Sequence, residues 1–186
     1  ETERRLATIL FAEIDGYNIM LKGIDEEEHA SLIKSFFELF DLISRHHKGK
    51  LKKISANNFM ILFGLPSTSE ESPRQAINFS IELRKRLIRL IKEKNISTTF
   101  SLKIGINTGE VIADELIIDD KKEYSVLGDT VDFAVQLKNL SAEGRILVGP
   151  LTYKSTKKEF DFQSLKPVNP EGKNEQVSIY ELLSVK

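Results

Sequence analysis

The run Leu6-Ala7-Thr8-Ile9-Leu10-Phe11-Ala12-Glu13-Ile14 constrains the fold more than any other segment. It is apolar at nearly every position, and it ends in a carboxylate ahead of Asp15-Gly16. Such a run reads as a buried central strand that stops at a turn. The covering layers follow from the rest of the chain. Asp25-Glu26-Glu27-Glu28 places acids in the first turn of a segment in which Leu32, Ile33, Phe36, Phe37, Leu39, Phe40 and Ile43 recur at helical spacing, predicting a helix that ends near His47. Leu51–Ile54 and Phe59–Phe63 read as short strands joined by Ser55-Ala56-Asn57-Asn58, whose Asn pair favours a tight turn. Gly64–Ser69 reads as a loop, and Pro73 suits the first turn of a second helix that carries Ala76, Ile77, Phe79, Ile81, Leu83, Leu87, Leu90 and Ile91 and closes near Asn95.

The second half predicts a strand over Thr99–Ile106, a break at Asn107-Thr108-Gly109, and a further strand over Glu110–Ala113. Asp119–Glu123 reads as an exposed hairpin tip, and Gly128-Asp129 precedes a short helix with Val131, Ala134, Val135 and Leu137. Gly144–Val148 and the alternating Val177–Leu183 are further strands, with a surface loop over Lys166–Gln176. The order strand–helix–strand–strand–helix–strand is the split βαβ pattern, so the fold class is α+β: a ferredoxin-like βαββαβ core with a C-terminal extension.

Composition narrows the function. With 186 residues, one domain spanning 1–186 is expected. The net charge of −1 gives no bulk attraction to nucleic acid. The absence of Cys excludes disulfides, thiolate nucleophiles and Cys-ligated zinc. No stretch approaches the roughly 18 apolar residues of a membrane span, so no membrane contact by this segment is expected. The chain opens at Glu1 without Met or an apolar leader, as expected for a cytoplasmic domain excised from a longer signalling protein.

Four local patterns, in order, carry a family resemblance. They are Phe11-Ala12-Glu13-Ile14-Asp15-Gly16-Tyr17, Lys53-Ile54-Ser55-Ala56-Asn57-Asn58-Phe59-Met60-Ile61-Leu62-Phe63-Gly64, Gly105-Ile106-Asn107-Thr108-Gly109, and Tyr124-Ser125-Val126-Leu127-Gly128-Asp129-Thr130-Val131-Asp132-Phe133-Ala134-Val135-Gln136-Leu137. Together with Gly144–Val148 and Tyr180-Glu181-Leu182, they resemble the class III adenylate and guanylate cyclase catalytic domain over nearly the whole chain. The resemblance implies cyclisation of ATP or GTP with release of pyrophosphate, two divalent ions (Mg²⁺ or Mn²⁺) bridged by two aspartates, and active sites shared across a homodimer or heterodimer of cyclase domains.

At the positions the resemblance assigns, this chain departs from the family. The metal positions are Glu13, longer than Asp by one carbon–carbon bond on the order of 1.5 Å, and Asn57, which brings no charge. Asp15 shares a strand face with Glu13, but Asp before Gly is an ordinary turn former. The nucleotide positions are Gly16, Tyr17, Lys53 and Ser125, where Ser125 replaces the base-selecting Asp. The ribose-orienting Asn is Asp132 and the phosphate-facing Arg is Gln136; loss of such a charged donor can cost about 10²–10³ in rate. The family's loop lysine aligns with Glu171, beside Lys173. Neither half-site is intact, so a partner domain would rescue at most one of them. The expected function is a catalytically impaired pseudo-cyclase that dimerises, regulates or senses nucleotide; the alternative is an active, divergent cyclase.

Ordinary structural roles compete at several of these positions. Gly105 and Gly109 can serve a strand bend, and Phe59, Met60 and Phe63 suit a core. His29 is expected at the surface, and His46-His47 as exposed residues favoured by a helix C-terminus. The basic run Arg84–Lys92 reads as a solvated helix face over a core stripe. The Gly-Gly-Asp/Glu-Glu-Phe turn of diguanylate cyclases and the aromatic strand motifs of RNA-recognition folds are absent.

Overall fold

The first strand of the computed structural model, β1 (Thr2–Asp15), lies in mid-sheet, as its apolar run requires. The structure describes residues 2–96 and 100–186. In chain order there follow α1 (Tyr17–Met20), α2 (Glu26–His46), β2 (Lys50–Ser55), β3 (Asn58–Phe63), α3 (Ser72–Glu93), β4 (Ser101–Ile118) and β5 (Lys121–Leu127). Then come α4 (Asp129–Leu140), β6 (Ile146–Val148), α5 (Pro150–Thr156), β7 (Phe160–Ser164) and β8 (Tyr180–Val185). Among the described residues, one eight-stranded sheet runs β2-β3-β1-β4-β6-β8-β7, with β5 paired to the outer half of β4. Its first four strands have the expected ferredoxin-like order. β6 joins β4 in parallel, and β8 and β7 complete the C-terminal extension.

Side chains alternate across β1 and so feed two layers. Leu10, Ala12 and Ile14 pack with Phe36, Phe40, Phe79, Leu83 and Leu87 from α2 and α3. Ala7, Ile9 and Phe11 face the other way, with Met60, Leu62, Val111, Ala113 and Ala134 of α4. Phe40 stacks on Phe59 with centroids 3.9 Å apart. Each such fully buried large apolar side chain contributes about 1.5–3 kcal/mol. Asp25 caps α2, its carboxylate accepting from Glu28 N at 2.8 Å. Along α3, Leu83, Leu87 and Ile91 are buried and Lys85, Arg89 and Lys92 exposed, as the sequence pattern requires.

Several expectations are corrected. Asn107–Gly109 does not break a strand, because β4 is continuous and pairs with β1 through these residues. Gly105 serves close packing, not a bend: a Cβ there would stand 2.2 Å from Lys138 N of α4. The expected hairpin tip is a turn at Asp119-Asp120, both with positive φ, and Lys121–Glu123 already belong to β5. The last strand starts at Tyr180, while Val177 pairs only with Val168. The helices α1 and α5 and strand β7 lack long apolar periodicity and were not anticipated. The expected strand start at Thr99 lies outside the described residues.

His46 is exposed as expected, whereas His29 and His47 are half-buried. His29 is half-buried and shares a 2.6 Å hydrogen bond with the Tyr17 hydroxyl. His46 and His47, adjacent at the end of α2, both reach Glu82 of α3, at 3.2 and 2.7 Å. Arg86 donates to the same carboxylate at 3.0 Å. Burial alone pushes the Glu82 carboxyl up, but the hydrogen bonds from His47, Arg86 and His46 together outweigh it and hold the group below its ordinary value.

Candidate functional site

Of the site positions, Glu13 and the α4 residues Asp132 and Gln136 lie on the α4 side of the sheet. Gly105 and Gly109 leave room on β4 for α4 to lie against the sheet, with Thr130 over Gly109. Asn107 fixes the start of the helix by donating from Nδ2 to Thr130 O at 3.1 Å. This seating directs Asp132, Gln136 and Lys138 towards the ends of β1 and the Lys166–Gln176 loop.

On the metal half, the Glu13 carboxylate accepts from Lys138 Nζ at 2.6 Å. The lysine side chain is only 7% exposed and the glutamate 27%, so the pair is largely withdrawn from water. Lys103 of β4 and Asn58 of β3 stand directly opposite Glu13 in the sheet and share its face. The Asn58 Oδ1 is buried without a hydrogen-bond partner among the described residues. Asn57 turns its amide to bracing: Nδ2 donates to Ile14 O at 3.1 Å, and Oδ1 accepts from Ser55 Oγ at 3.1 Å. Asp15 is exposed, and its carboxylate accepts from the backbone of Gly16, which has φ 89°. The turn role of Asp15 is therefore satisfied locally.

These residues do not fit a pair of divalent ions. One carboxylate is neutralised by an ammonium, the second position is a neutral amide engaged with the backbone, and Lys103 adds positive charge to the same face. Among the described residues, no group of three or more His, Asp or Glu is arranged to hold a metal.

The positions expected to face the phosphates line a cavity of about 300 Å³, with Asp129, Asp132, Phe133, Gln136, Glu171 and Lys173 among its walls. Gln136 uses both ends of its amide on the loop backbone: Nε2 donates to Asn169 O at 2.9 Å and Oε1 accepts from Glu171 N at 3.0 Å. Lys173 is held 3.0 Å from Asp129. The Asp129 hydrogen bond pushes the Lys173 ammonium pKa up. The lining thus carries three carboxylates against one ammonium, the wrong balance for a polyanion.

The base positions are not brought into one pocket. Lys53 is exposed on edge strand β2, opposite Phe59, whose ring is buried against α2. Ser125 on β5 lines a separate cavity with Lys50, Lys52, Leu62 and Tyr124, and Lys53 is not part of its lining. Tyr17 packs in the core against Phe36; burial pushes its hydroxyl pKa up. Gly16 supplies the left-handed turn that carries the chain from β1 to Tyr17. Lys138 is a residue of this arrangement that no sequence motif singles out. Its signal is a lysine on the apolar stripe of α4, four residues after Ala134.

The chain matches the adenylate and guanylate cyclase catalytic domain over residues 2–184, and it belongs to that family. Among curated relatives, Adenylate cyclase 1 of Rhizobium meliloti (strain 1021) is 20% identical over 98% of this chain and 28% of its own length. Adenylate cyclase of Mycobacterium tuberculosis (strain ATCC 25618 / H37Rv) is 23% identical over 90% of the chain and 37% of its own length. The chain therefore spans well under half the length of these relatives. Among solved structures, the adenylyl cyclase CyaB from P. aeruginosa superposes with TM-score 0.90 at 24% identity, covering 100% of this chain and 97% of that one. The guanylate cyclase domain of RhGC from Catenaria anguillulae, in complex with GTP, superposes with TM-score 0.82 at 20% identity, covering 99% of this chain and 100% of that one. At these identities the structural likeness speaks for the fold.

Proposed function

We propose that this chain is a cyclase homology domain of intracellular signalling that has lost or nearly lost nucleotide cyclisation and acts as a dimerisation and regulatory module. The observation that carries the reading is Gln136. At the position where the family offers an arginine to the phosphates, a neutral amide is spent at both ends on holding the loop that carries Glu171. The acidic lining around it points the same way, because a triphosphate entering beside Asp129, Asp132 and Glu171 meets three carboxylates against the single ammonium of Lys173. No helix among the described residues is long and apolar enough to cross a membrane.

The partner is a second cyclase domain, either another copy or a different chain. On the β4–β5 arm Leu116, Ile118 and Leu127 are exposed on one face and Ile117, at 73%, on the other, so the arm offers apolar side chains for such docking. The test is an assay of the purified domain with ATP and with GTP in the presence of Mn²⁺, beside an Asn57→Asp, Gln136→Arg variant. The expected result is no cyclic nucleotide above the protein-free background from the unmodified domain. Robust turnover by the unmodified domain overturns the reading in favour of a divergent active cyclase.

A further inference from the structure

We propose that Lys138 is the permanent cation of this site: its ammonium holds the Glu13 carboxylate from within the fold and excludes a divalent ion. The inference deepens the non-catalytic reading above and rests on it for its significance, though not for its test. Three observations support it. The first is geometric. Glu13 stands at the end of β1, where the family's first metal aspartate belongs, and the Lys138 ammonium sits 2.6 Å from its Oε1. The second is burial. Lysine is rarely this buried unless it is paired, and at 7% side-chain exposure Lys138 has Glu13 as its hydrogen-bond partner. The third is the surrounding charge. Lys103 stands opposite Glu13 in the β1–β4 ladder, so a second lysine adds its positive charge to the face that carries Lys138 and Glu13.

The rest of the chain makes this arrangement consistent. The glycine at 105 lets α4 come close enough for Lys138 to reach β1. Glutamate has the longer arm of the two acidic side chains, which suits a carboxylate reaching towards a helix. Asn57, the other metal position, has its amide committed to Ile14 O and Ser55 and needs no cation. Oxygen donors nevertheless remain on this face, since Glu13 and Asp15 share one face of β1 and Asn58 stands opposite Glu13. Within that set the Lys138 ammonium already occupies Glu13 Oε1, and Lys103 adds a second positive charge to the same face.

The test uses Mn²⁺ alone as the probe, read by paramagnetic broadening of backbone amide resonances. The unmodified chain is expected to show no broadening centred on Glu13 and Asp15. Lys138→Met, or Lys138→Met with Lys103→Met, is expected to bind Mn²⁺ there about tenfold or more tightly than the unmodified chain, and adding Glu13→Gln abolishes the gain. Broadening centred on Glu13 in the unmodified chain overturns the proposal, as does its absence in both variants when they are folded. If neither variant folds, the lysine side-chain 1H–15N spectrum of the unmodified chain decides. A slowly exchanging Lys138 ammonium signal that disappears with Glu13→Gln and survives added Mn²⁺ supports the proposal; its displacement by Mn²⁺ overturns it. Cyclisation that persists in a chelator refutes the non-catalytic reading while leaving the lysine assignment in place, so the two failures are distinguishable.

Discussion

Replacing Glu13 by alanine strands an ammonium ion inside the protein. Lys138 is 7% exposed on its side chain, and Glu13 is its hydrogen-bond partner. Removing one member of a buried pair typically costs about 3–5 kcal/mol, because the remaining charge keeps its desolvation penalty without its partner. Glu13 is 27% exposed, so water reaches part of the pair, and we set the expected loss nearer 3 kcal/mol. For a domain of this size that lowers the melting temperature by about 6–12 °C. Lys138→Met should cost less, about 1 kcal/mol, because the carboxylate left behind is the more exposed partner and can be hydrated. The double variant Glu13→Ala, Lys138→Met should be more stable than Glu13→Ala alone, with a coupling energy of about 1–3 kcal/mol. Urea denaturation of the four proteins in the cycle measures this. A Glu13→Ala variant within about 0.5 kcal/mol of the unmodified chain, or strict additivity in the cycle, would refute the reasoning.

Three further outcomes follow from the geometry. Gln136→Ala removes both tethers to the backbone at Asn169 and Glu171, and amide exchange over Asn169–Lys173 should accelerate while the β1–β4 core stays protected; unchanged exchange in the loop would show that the amide does not hold it. Gly105→Ala places a methyl 2.2 Å from Lys138 N and 2.5 Å from Ala134 O, both backbone atoms of α4, so the helix must shift at a cost of about 3 kcal/mol or more, and the Lys138 ammonium signal should change with it. Glu82 has a folded pKa below its ordinary 4.5, so its contribution is present above that value and is lost as the pH falls through the folded pKa. Glu82→Gln should therefore flatten the acid limb of a melting-temperature profile below pH 4.5, and an unchanged limb would contradict the role given to the His46, His47 and Arg86 cluster.

The core of the fold was legible because it rests on long apolar patterns. The run over β1 and the stripes of α2 and α3 can be buried in few ways, and the order of those elements sets the sheet order β2-β3-β1-β4. What escaped reading was short or locally ambiguous. Asn107-Thr108-Gly109 carries turn-forming residues, yet the β1 and α4 contacts hold it extended within β4. The charged sequence of β5 resembles a loop until its register with β4 is known. The site was legible as a list of substituted positions, because each lies inside a local pattern. Its logic was not, because that logic resides in contacts across the fold. The pairing of Lys138 with Glu13 spans 125 residues, and the engagement of Gln136 with the loop at Asn169 spans 33. No local spacing encodes either contact. A lysine at a buried-stripe position of α4 was the one hint, and it acquires meaning only when Gly105 brings that helix onto the strand.

The central claim is that both halves of a nucleotide–metal site have been rebuilt into internal contacts, Glu13 with Lys138 and Gln136 with the loop backbone. Equilibrium titration of the domain with fluorescent ATP and GTP analogues, with and without Mn²⁺, tests it most directly. The account predicts that Mn²⁺ leaves the titration unchanged, whether the signal is flat or weakly saturable. Saturable binding that tightens about tenfold or more on addition of Mn²⁺ would contradict it.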